Sequence, residues 1–169
     1  RVTETTDRLE CDYPQLDCGD QNLILRAVAE YRVKNPLPYG LNIKLKKQIP
    51  VGSGLGGGSS NAVATLRGLN MLAENPLSDD ELMEIAVRLG SDCPLFLYNE
   101  PLIIRGRGEI LETIPADVIS DMSGHSILLF RPDYSIGTAW AYRQYTKNGN
   151  QLFSSESKIE SKLKNWIDN

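Results

Sequence analysis

The chain has 169 residues, of which 41% are hydrophobic and 24% charged, and its formal net charge is −4. This composition is typical of a globular protein with one good core or one and a half domains, and the acidic balance argues against a nucleic-acid partner or a membrane surface. No apolar run could span a bilayer, no signal peptide is visible, and three irregularly spaced cysteines (Cys11, Cys18 and Cys93) indicate neither a disulfide framework nor a zinc site, so we expect a cytoplasmic protein without metal ligands.

The first part of the chain predicts strands and helices in turn. Residues 2–11 are typical of an edge strand or a hairpin arm. Residues 21–31 carry apolar side chains at helical spacing, and Asp20 is a natural N-cap for that helix. Residues 41–47 alternate strictly between apolar and polar side chains, which predicts a strand with one solvent-exposed face. An apolar stripe then predicts a helix from residue 60 to about residue 72.

Shorter elements follow. The segment Ser78-Asp79-Asp80-Glu81 is a capping box for a second helix, which ends at Gly90. Strands are predicted at 95–98, 102–105 and 110–111, with a glycine-containing turn over 106–109. Beyond them, residues 126–131 predict a buried strand and residues 136–145 a helix.

The segment from residue 50 to residue 62 is the most informative, because it places five of the 14 glycines within seven residues. Glycine loses the most conformational freedom on folding, so such a run indicates close approach of the backbone to a ligand. A glycine-rich backbone that leads into a helix presents free N–H groups and the positive end of the helix dipole, which is a phosphate site. The candidate phosphate-binding residues are Pro50, Val51, Gly52, Ser53, Gly54, Leu55, Gly56, Gly57, Gly58, Ser59 and Ser60.

Two familiar phosphate motifs fit this segment poorly. The spacing Gly52-x-Gly54-x-x-Gly57 formally matches a dinucleotide fingerprint, but the preceding strand looks half exposed and Pro50 interrupts the junction. A Walker A loop needs a lysine before its hydroxyl residue, and Ser59 follows Gly58 directly. A flexible linker is a poor alternative too, because the glycines lie between a strand and a well-patterned helix.

The pattern Pro-x-Gly-x-Gly-Leu-Gly-Gly-Gly-Ser-Ser-Asn-Ala resembles the phosphate loop of the GHMP small-molecule kinases. The version with three consecutive glycines is most similar to the branch that phosphorylates a cytidine-diphosphate-linked methylerythritol for non-mevalonate isoprenoid synthesis. The resemblance implies an α+β fold with antiparallel or mixed strands packed on helices in two layers, as in ribosomal protein S5 domain 2. It further implies that residues 1–124 form this ATP-binding domain and that 125–169 begin a second, truncated α+β domain. ATP, Mg²⁺ and a small-molecule alcohol are the implied ligands.

A second match places a carboxylate beside the loop. The segment from Leu89 to Phe96 resembles the family's Leu-Gly-Ala-Asp-Val-Pro-x-Phe element, and Asp92 takes the position of the catalytic aspartate. A carboxylate there can accept or orient the proton of an alcohol that attacks a phosphoryl group. Alone, Asp92 would be interpreted as a turn cap after Gly90; beside the glycine loop, catalysis is favoured.

The resemblance also carries over four binding residues. Asn22 and Lys47 match family positions beside the adenine, although a helix-terminal asparagine and a solvated strand lysine are nearly equal alternatives. Thr138 and Tyr142 match the positions that hold the cytidine end of the substrate, and Tyr142 could stack on a pyrimidine. A core-facing aromatic is the competing interpretation of Tyr142.

Two pieces of the family pattern have no counterpart in the chain: the N-terminal strand with its lysine, and an Asp-Gly-Tyr-His element. We therefore expect a complete parent protein that is the kinase, and a 169-residue piece that alone is weak or inactive. Two alternatives stay open. One is another GHMP kinase, acting on homoserine, mevalonate or a sugar, and the other is a non-catalytic nucleotide-binding fragment. The sequence does not indicate an oligomeric state.

Overall fold

The computed structural model of the chain describes residues 6–106 and 108–114, together with residues 119–120, 124, 126, 128–130, 137, 140, 143–144 and 147. The chain divides into two compact units, Arg1–Thr113 and Ile114–Asn169. The elements discussed below lie in the first unit: β1 Arg8–Cys11, α1 Leu23–Lys34, β2 Asn42–Leu45, α2 Gly57–Leu72, α3 Asp79–Leu89, a 3₁₀ helix at Pro94–Leu97, β3 Leu102–Arg105 and β4 Ile110–Thr113. The predicted α+β class is confirmed.

The first two strands pair in parallel, with Arg8 opposite Asn42 and Cys11 opposite Leu45. Parallel neighbours require a crossover connection, which α1 supplies. Arg32 on α1 links the helix to β1 and to the segment before β2. Its guanidinium forms an ion pair with Asp7 at 2.8 Å and donates to the carbonyl of Leu37 at 2.7 Å. The crossover is thus fastened where it leaves the helix and where the first strand begins.

The other two strands form an antiparallel hairpin, with Leu102 opposite Thr113 and Arg105 opposite Ile110. The turn between them contains Gly106 at φ +68° and Gly108 at φ +111°. Side chains rarely adopt either value, so the two glycines explain why the chain reverses here. The strands and the glycine turn agree with the sequence prediction.

Three helices enclose the core. Their inward faces are fully or nearly fully buried and consist of Ala27, Val28 and Tyr31 on α1, Ala62, Val63, Leu66 and Leu69 on α2, and Leu82, Ile85, Ala86 and Leu89 on α3. The one buried polar side chain among the described residues is Asn70, which is 4% exposed. It accepts hydrogen bonds from the Tyr31 hydroxyl and the Leu77 N–H, both at 3.1 Å, and donates to the Leu77 carbonyl at 2.9 Å. This set satisfies the amide and fixes the α2–α3 connection onto α1.

The predicted capping box of α3 is confirmed, since the Ser78 hydroxyl accepts from the Glu81 N–H and the Glu81 carboxylate accepts from the Ser78 N–H. Two other predictions are wrong. Residues 95–98 do not form a strand, because Pro94 starts a 3₁₀ turn, a position where its fixed φ and missing N–H are tolerated. Residues 128–130 are exposed and lie outside any strand, since no described strand pairs with them.

Candidate functional site

The glycine loop before α2 adopts a backbone that side-chain-bearing residues rarely reach. Gly52, Gly54 and Gly56 have φ values of +70°, +73° and +65°. A Cβ atom built on Gly52 or Gly54 would meet nothing within 4 Å, so both face open space. Bare main chain is therefore presented at the surface just before a helix begins.

Helix α2 begins at Gly57, three residues earlier than predicted. Gly56 is the N-cap, and the first intrahelical bond runs from the Ser60 N–H to the Gly56 carbonyl at 2.9 Å. The N–H groups of Gly57, Gly58 and Ser59 precede that bond, and no acceptor among the described residues takes them. Because the cap has no side chain, these donors and the helix dipole remain available to an anion.

Gly56 and Gly57 each have a large neighbour where a side chain would be. A Cβ on Gly56 would lie 2.6 Å from Cζ of Phe96, and one on Gly57 would lie 2.9 Å from Cγ2 of Ile49 and 3.1 Å from Nζ of Lys47. Glycine is thus needed here for close packing as well as for backbone freedom. Sequence reasoning missed Ile49 and Phe96, because their partners became apparent only once the loop was folded.

An open cavity of about 250 Å³ lies next to the helix start. Its lining is mainly apolar and is formed by Leu16, Asp17, Gln21, Asn22, Leu23, Ile24, Leu45, Lys47, Gly58 and Asn61. The structure thus brings Asn22 and Lys47, two residues predicted to contact a nucleotide base, to one cavity that also reaches the glycine segment. Such a mixture of apolar walls with a few polar groups is usual for small-molecule sites.

Asn22 is held firmly at the cavity wall. It is the N-cap of α1, a position predicted for Asp20, and its Oδ1 accepts from the Ile24 N–H at 3.0 Å. Its Nδ2 donates to the Asp17 carbonyl at 2.6 Å. The prediction of Asp20 is wrong because the helix starts two residues later than its apolar spacing indicated. The capping role weighed for Asn22 is confirmed, and its base contact stays a prediction.

Asp92 follows α3 within a tight turn. The Cys93 N–H donates to the Gly90 carbonyl at 3.0 Å, which closes the turn over Ser91 and Asp92. The Asp92 side chain is exposed, whereas Cys93 is fully buried. Gly90 has an extended backbone with φ 170°, so it ends the helix without a left-handed residue. The turn therefore directs its carboxylate outward while anchoring the next residue in the core.

Contacts of Cys93 and of the residues after it bring this turn to the start of α2. Burial raises the pKa of the Cys93 thiol, and a hydrogen bond with the Ser59 hydroxyl offsets part of that rise. Phe96 packs on Gly56, and Arg67 of α2 donates to the carbonyl of Leu97. The segment that follows Asp92 thus packs against the start of α2 through Phe96 and Leu97. The interpretation of Cys93 as a small buried residue is confirmed.

Other predicted positions contribute less to this geometry. Thr138 and Tyr142 lie outside the described residues. The Ser60 hydroxyl donates back to the Gly57 carbonyl at 3.1 Å, inside the first helical turn. Within residues 6–114 and the described pieces beyond them, no three His, Cys, Asp or Glu side chains cluster to hold a metal. None of the helices that these residues form combines the length and apolar character of a membrane span.

The fold and this site define a class of protein. Residues 22–100 match the family described as GHMP kinases N terminal domain, and this segment includes the glycine loop, α2 and Asp92. The segment is similar to that family, and the resemblance in its motifs is confirmed.

Particular relatives are similar over more of the chain. The 4-diphosphocytidyl-2-C-methyl-D-erythritol kinase of Prochlorococcus marinus (strain AS9601) is 41% identical over 163 residues, which are 96% of this chain and 51% of the relative. The enzyme of the same name from Thermotoga maritima is 46% identical over 125 residues, or 74% of this chain and 44% of the relative. The chain therefore spans about half the length of the curated relatives it matches.

A solved structure agrees with these sequences. The crystal structure of 4-(cytidine 5'-diphospho)-2C-methyl-D-erythritol kinase matches with a TM-score of 0.53 and 37% sequence identity, over 64% of this chain and 38% of that chain. The likeness therefore covers both sequence and fold over the matched part of the chain.

Proposed function

We propose that the complete protein is an ATP-dependent kinase that phosphorylates the 2-hydroxyl of 4-diphosphocytidyl-2-C-methyl-D-erythritol, in non-mevalonate isoprenoid biosynthesis. The observation that carries the proposal is the joining of two features: a helix start with three unpaired N–H groups, and an exposed aspartate whose segment packs on that helix start through Phe96. The relatives bear the name of this kinase. Phosphate binding and proton removal are the two tasks that the reaction requires.

The described residues fit a nucleotide. Three N–H donors at the start of α2 suit the phosphates, and the neighbouring cavity of about 250 Å³, with its apolar walls, suits a flat base. Lys47 lies at the wall between them, because its Nζ is near Gly57. We assign Asn22 and Lys47 to the base end and residues 50–60 to the phosphates. Loop N–H groups supply positive field locally, so the acidic net charge is no obstacle.

Asp92 is proposed as the catalytic residue. Bound ATP supplies the phosphoryl group that is transferred. The Asp92 carboxylate accepts the proton of the acceptor hydroxyl, whose oxygen forms the new bond to phosphorus while the bond between the γ-phosphorus and the ADP oxygen breaks. The proton ends on the carboxylate and the leaving charge ends on ADP, so the step balances.

The remaining assignments rest on the resemblance. Mg²⁺ would accompany the phosphates, and the hydroxyl of Ser59 or Ser60 in the first turn of α2 would be the side-chain oxygen to assist it. Thr138 and Tyr142 are proposed to hold the cytidine end, in a second domain that begins near residue 125. A cytoplasmic location would suit such a metabolic enzyme.

A substrate panel tests this proposal. Purified complete protein is incubated with ATP, Mg²⁺ and either the cytidylyl methylerythritol, homoserine, mevalonate or galactose, and ADP release is coupled to a spectrophotometric assay. We expect turnover with the cytidylyl substrate alone. Turnover only with another acceptor would replace the substrate and keep the family. ATP binding without turnover on any acceptor would favour a nucleotide-binding module.

A further inference from the structure

The turn of the β3–β4 hairpin touches the segment that carries Asp92. A Cβ atom built on Gly108 would overlap the carbonyl oxygen of Ser91 and lie 2.8 Å from its carbonyl carbon and 3.1 Å from its Cα. Gly108 is buried and has φ +111°. Backbone therefore packs directly on backbone at this point, one residue before the aspartate, and a larger residue would force the two segments apart.

The position of Asp92 depends on the backbone around it. No described residue forms a hydrogen bond or an ion pair with its side chain, so within the described part of the chain the backbone alone positions the carboxylate. The turn that carries it is supported on one side by buried Cys93, which contacts Ser59. On the other side it is supported by Gly108. The two supports together determine where the carboxylate lies relative to the glycine loop.

The hairpin is a firm support. Its strands pair over four residue pairs from Leu102–Thr113 to Arg105–Ile110. The Gly108 N–H donates to the Arg105 carbonyl at 3.2 Å, which closes the turn. An ion pair from Arg105 to Glu112 at 2.9 Å spans the two strands. Because the turn is held by these bonds, a side chain added to it should displace the Ser91 backbone and not the turn itself.

We propose that Gly108 is a positioning residue for phosphoryl transfer, which holds the Ser91–Asp92 turn at the distance from the glycine loop that catalysis needs. The proposal rests on the proposed kinase function and deepens it. A side chain at Gly108 should displace the Ser91 carbonyl by on the order of 1 Å, and a misplacement of that size at a reacting group costs roughly 100-fold in rate. ATP binds at the other support, so its affinity should stay the same.

The test compares two alanine substitutions in the same turn of the complete protein. Gly108→Ala puts a methyl group into the Ser91 backbone. Gly106→Ala is the control in the same turn, because φ +68° lies in the left-handed region that residues with side chains can reach, and the nearest atoms to its methyl group would be those of the Glu109 carboxylate and not backbone. We expect kcat to fall by about 100-fold in Gly108→Ala and by less than about threefold in Gly106→Ala, with the ATP dissociation constant unchanged in both. Equal kcat values for the two variants would overturn the proposal.

Two further measurements separate positioning from general damage. In an Asp92→Asn background, Gly108→Ala should cause no further loss of kcat, because it acts only through the aspartate. Full additivity of the two losses would contradict the proposal. If Gly108→Ala does not fold, a single glycine inserted after Gly106 replaces it, since this insertion changes the contact of the turn with Ser91 without adding a side chain. Wild-type kcat in the insertion variant would then overturn the proposal.

Failure of the proposed function looks different from failure of this inference. A wild-type protein without turnover on any acceptor refutes the kinase itself. An active wild-type protein whose Gly108→Ala variant matches Gly106→Ala refutes only the positioning role.

Discussion

Replacing Asp92 by asparagine tests the chemical step directly. The side chain is exposed, and no described residue bonds to it, so the amide should change the free energy of unfolding by no more than about 0.5 kcal/mol. Asparagine keeps the shape of the turn but cannot accept a proton. Loss of a general base typically costs about 10²–10⁴-fold in turnover, which is about 3–5 kcal/mol in the activation barrier. Turnover should therefore collapse in a protein that remains fully folded.

Three measurements on the complete protein define the outcome. Initial rates give kcat, calorimetric titration gives the ATP dissociation constant, and thermal melting gives the stability. Asp80→Asn is the matched control, because it makes the same change of charge at an exposed site in the first turn of α3. We expect only Asp92→Asn to lose turnover, with ATP affinity equal to that of the wild type or slightly tighter. Intact turnover combined with weakened ATP binding would refute the reasoning and assign Asp92 to binding.

Three other substitutions probe the loop, the core and a helix cap. Gly57→Val should abolish detectable ATP binding in calorimetry, because its side chain must occupy the space of Ile49 and the Lys47 ammonium. Unchanged affinity would remove the loop from the site. As a control in the same helix, Gly68→Ala adds a methyl group with nothing within 4 Å, so it should raise stability by about 0.5–1 kcal/mol and leave binding intact. Asn70→Ala should cost about 3 kcal/mol in urea unfolding, because it strands the Tyr31 hydroxyl and both Leu77 backbone groups; a loss below about 1 kcal/mol would mean that water replaces the amide. Hydrogen bonds from the Ser78 N–H and hydroxyl lower the pKa of Glu81. Its charged form therefore stabilises the folded state above pH 4.5, the ordinary glutamate value, and this stability is lost as the pH falls through the lowered pKa. The melting temperatures of Glu81→Gln and wild type should converge in acid, and a difference independent of pH would contradict the cap.

Local chemistry explains which elements could be predicted from the sequence. The capping box at residues 78–81 and the strict alternation along β2 are short-range signals, and both are confirmed. The glycine turn of the hairpin belongs to the same group, because positive φ is a property of single residues. In each case the residues that decide the structure are neighbours in the chain.

The errors have a common cause in longer-range packing. Residues 95–98 have the composition of a strand, but Pro94 and the packing of Phe96 on Gly56 favour a 3₁₀ turn instead. Helix α2 starts early because Gly57 and Gly58 are accommodated against Ile49 and Leu23, so two poor helix formers are helical.

The candidate site divides in the same way. The glycine loop and Asp92 could be found because each lies in a compact motif, and the family match covers both. The contact of Phe96 with Gly56, which brings the two together, could not be predicted, since it joins residues far apart in the chain. The contact of Gly108 with Ser91 could not be predicted either, because a hairpin turn is by itself a sufficient reason for glycine at 106 and 108.

The parallel pairing of β1 with β2 has a consequence for how the chain reaches its native state. Because the whole of α1 lies between Arg8 and Asn42 in the chain, their pairing closes a long loop. The entropy cost of that closure precedes any ladder hydrogen bond. Local helices are therefore expected to form ahead of this two-stranded ladder. Amide protons of α1 should gain protection earlier than those of Arg8–Cys11 during refolding, and the wall of the cavity at Leu45 would be completed after α1.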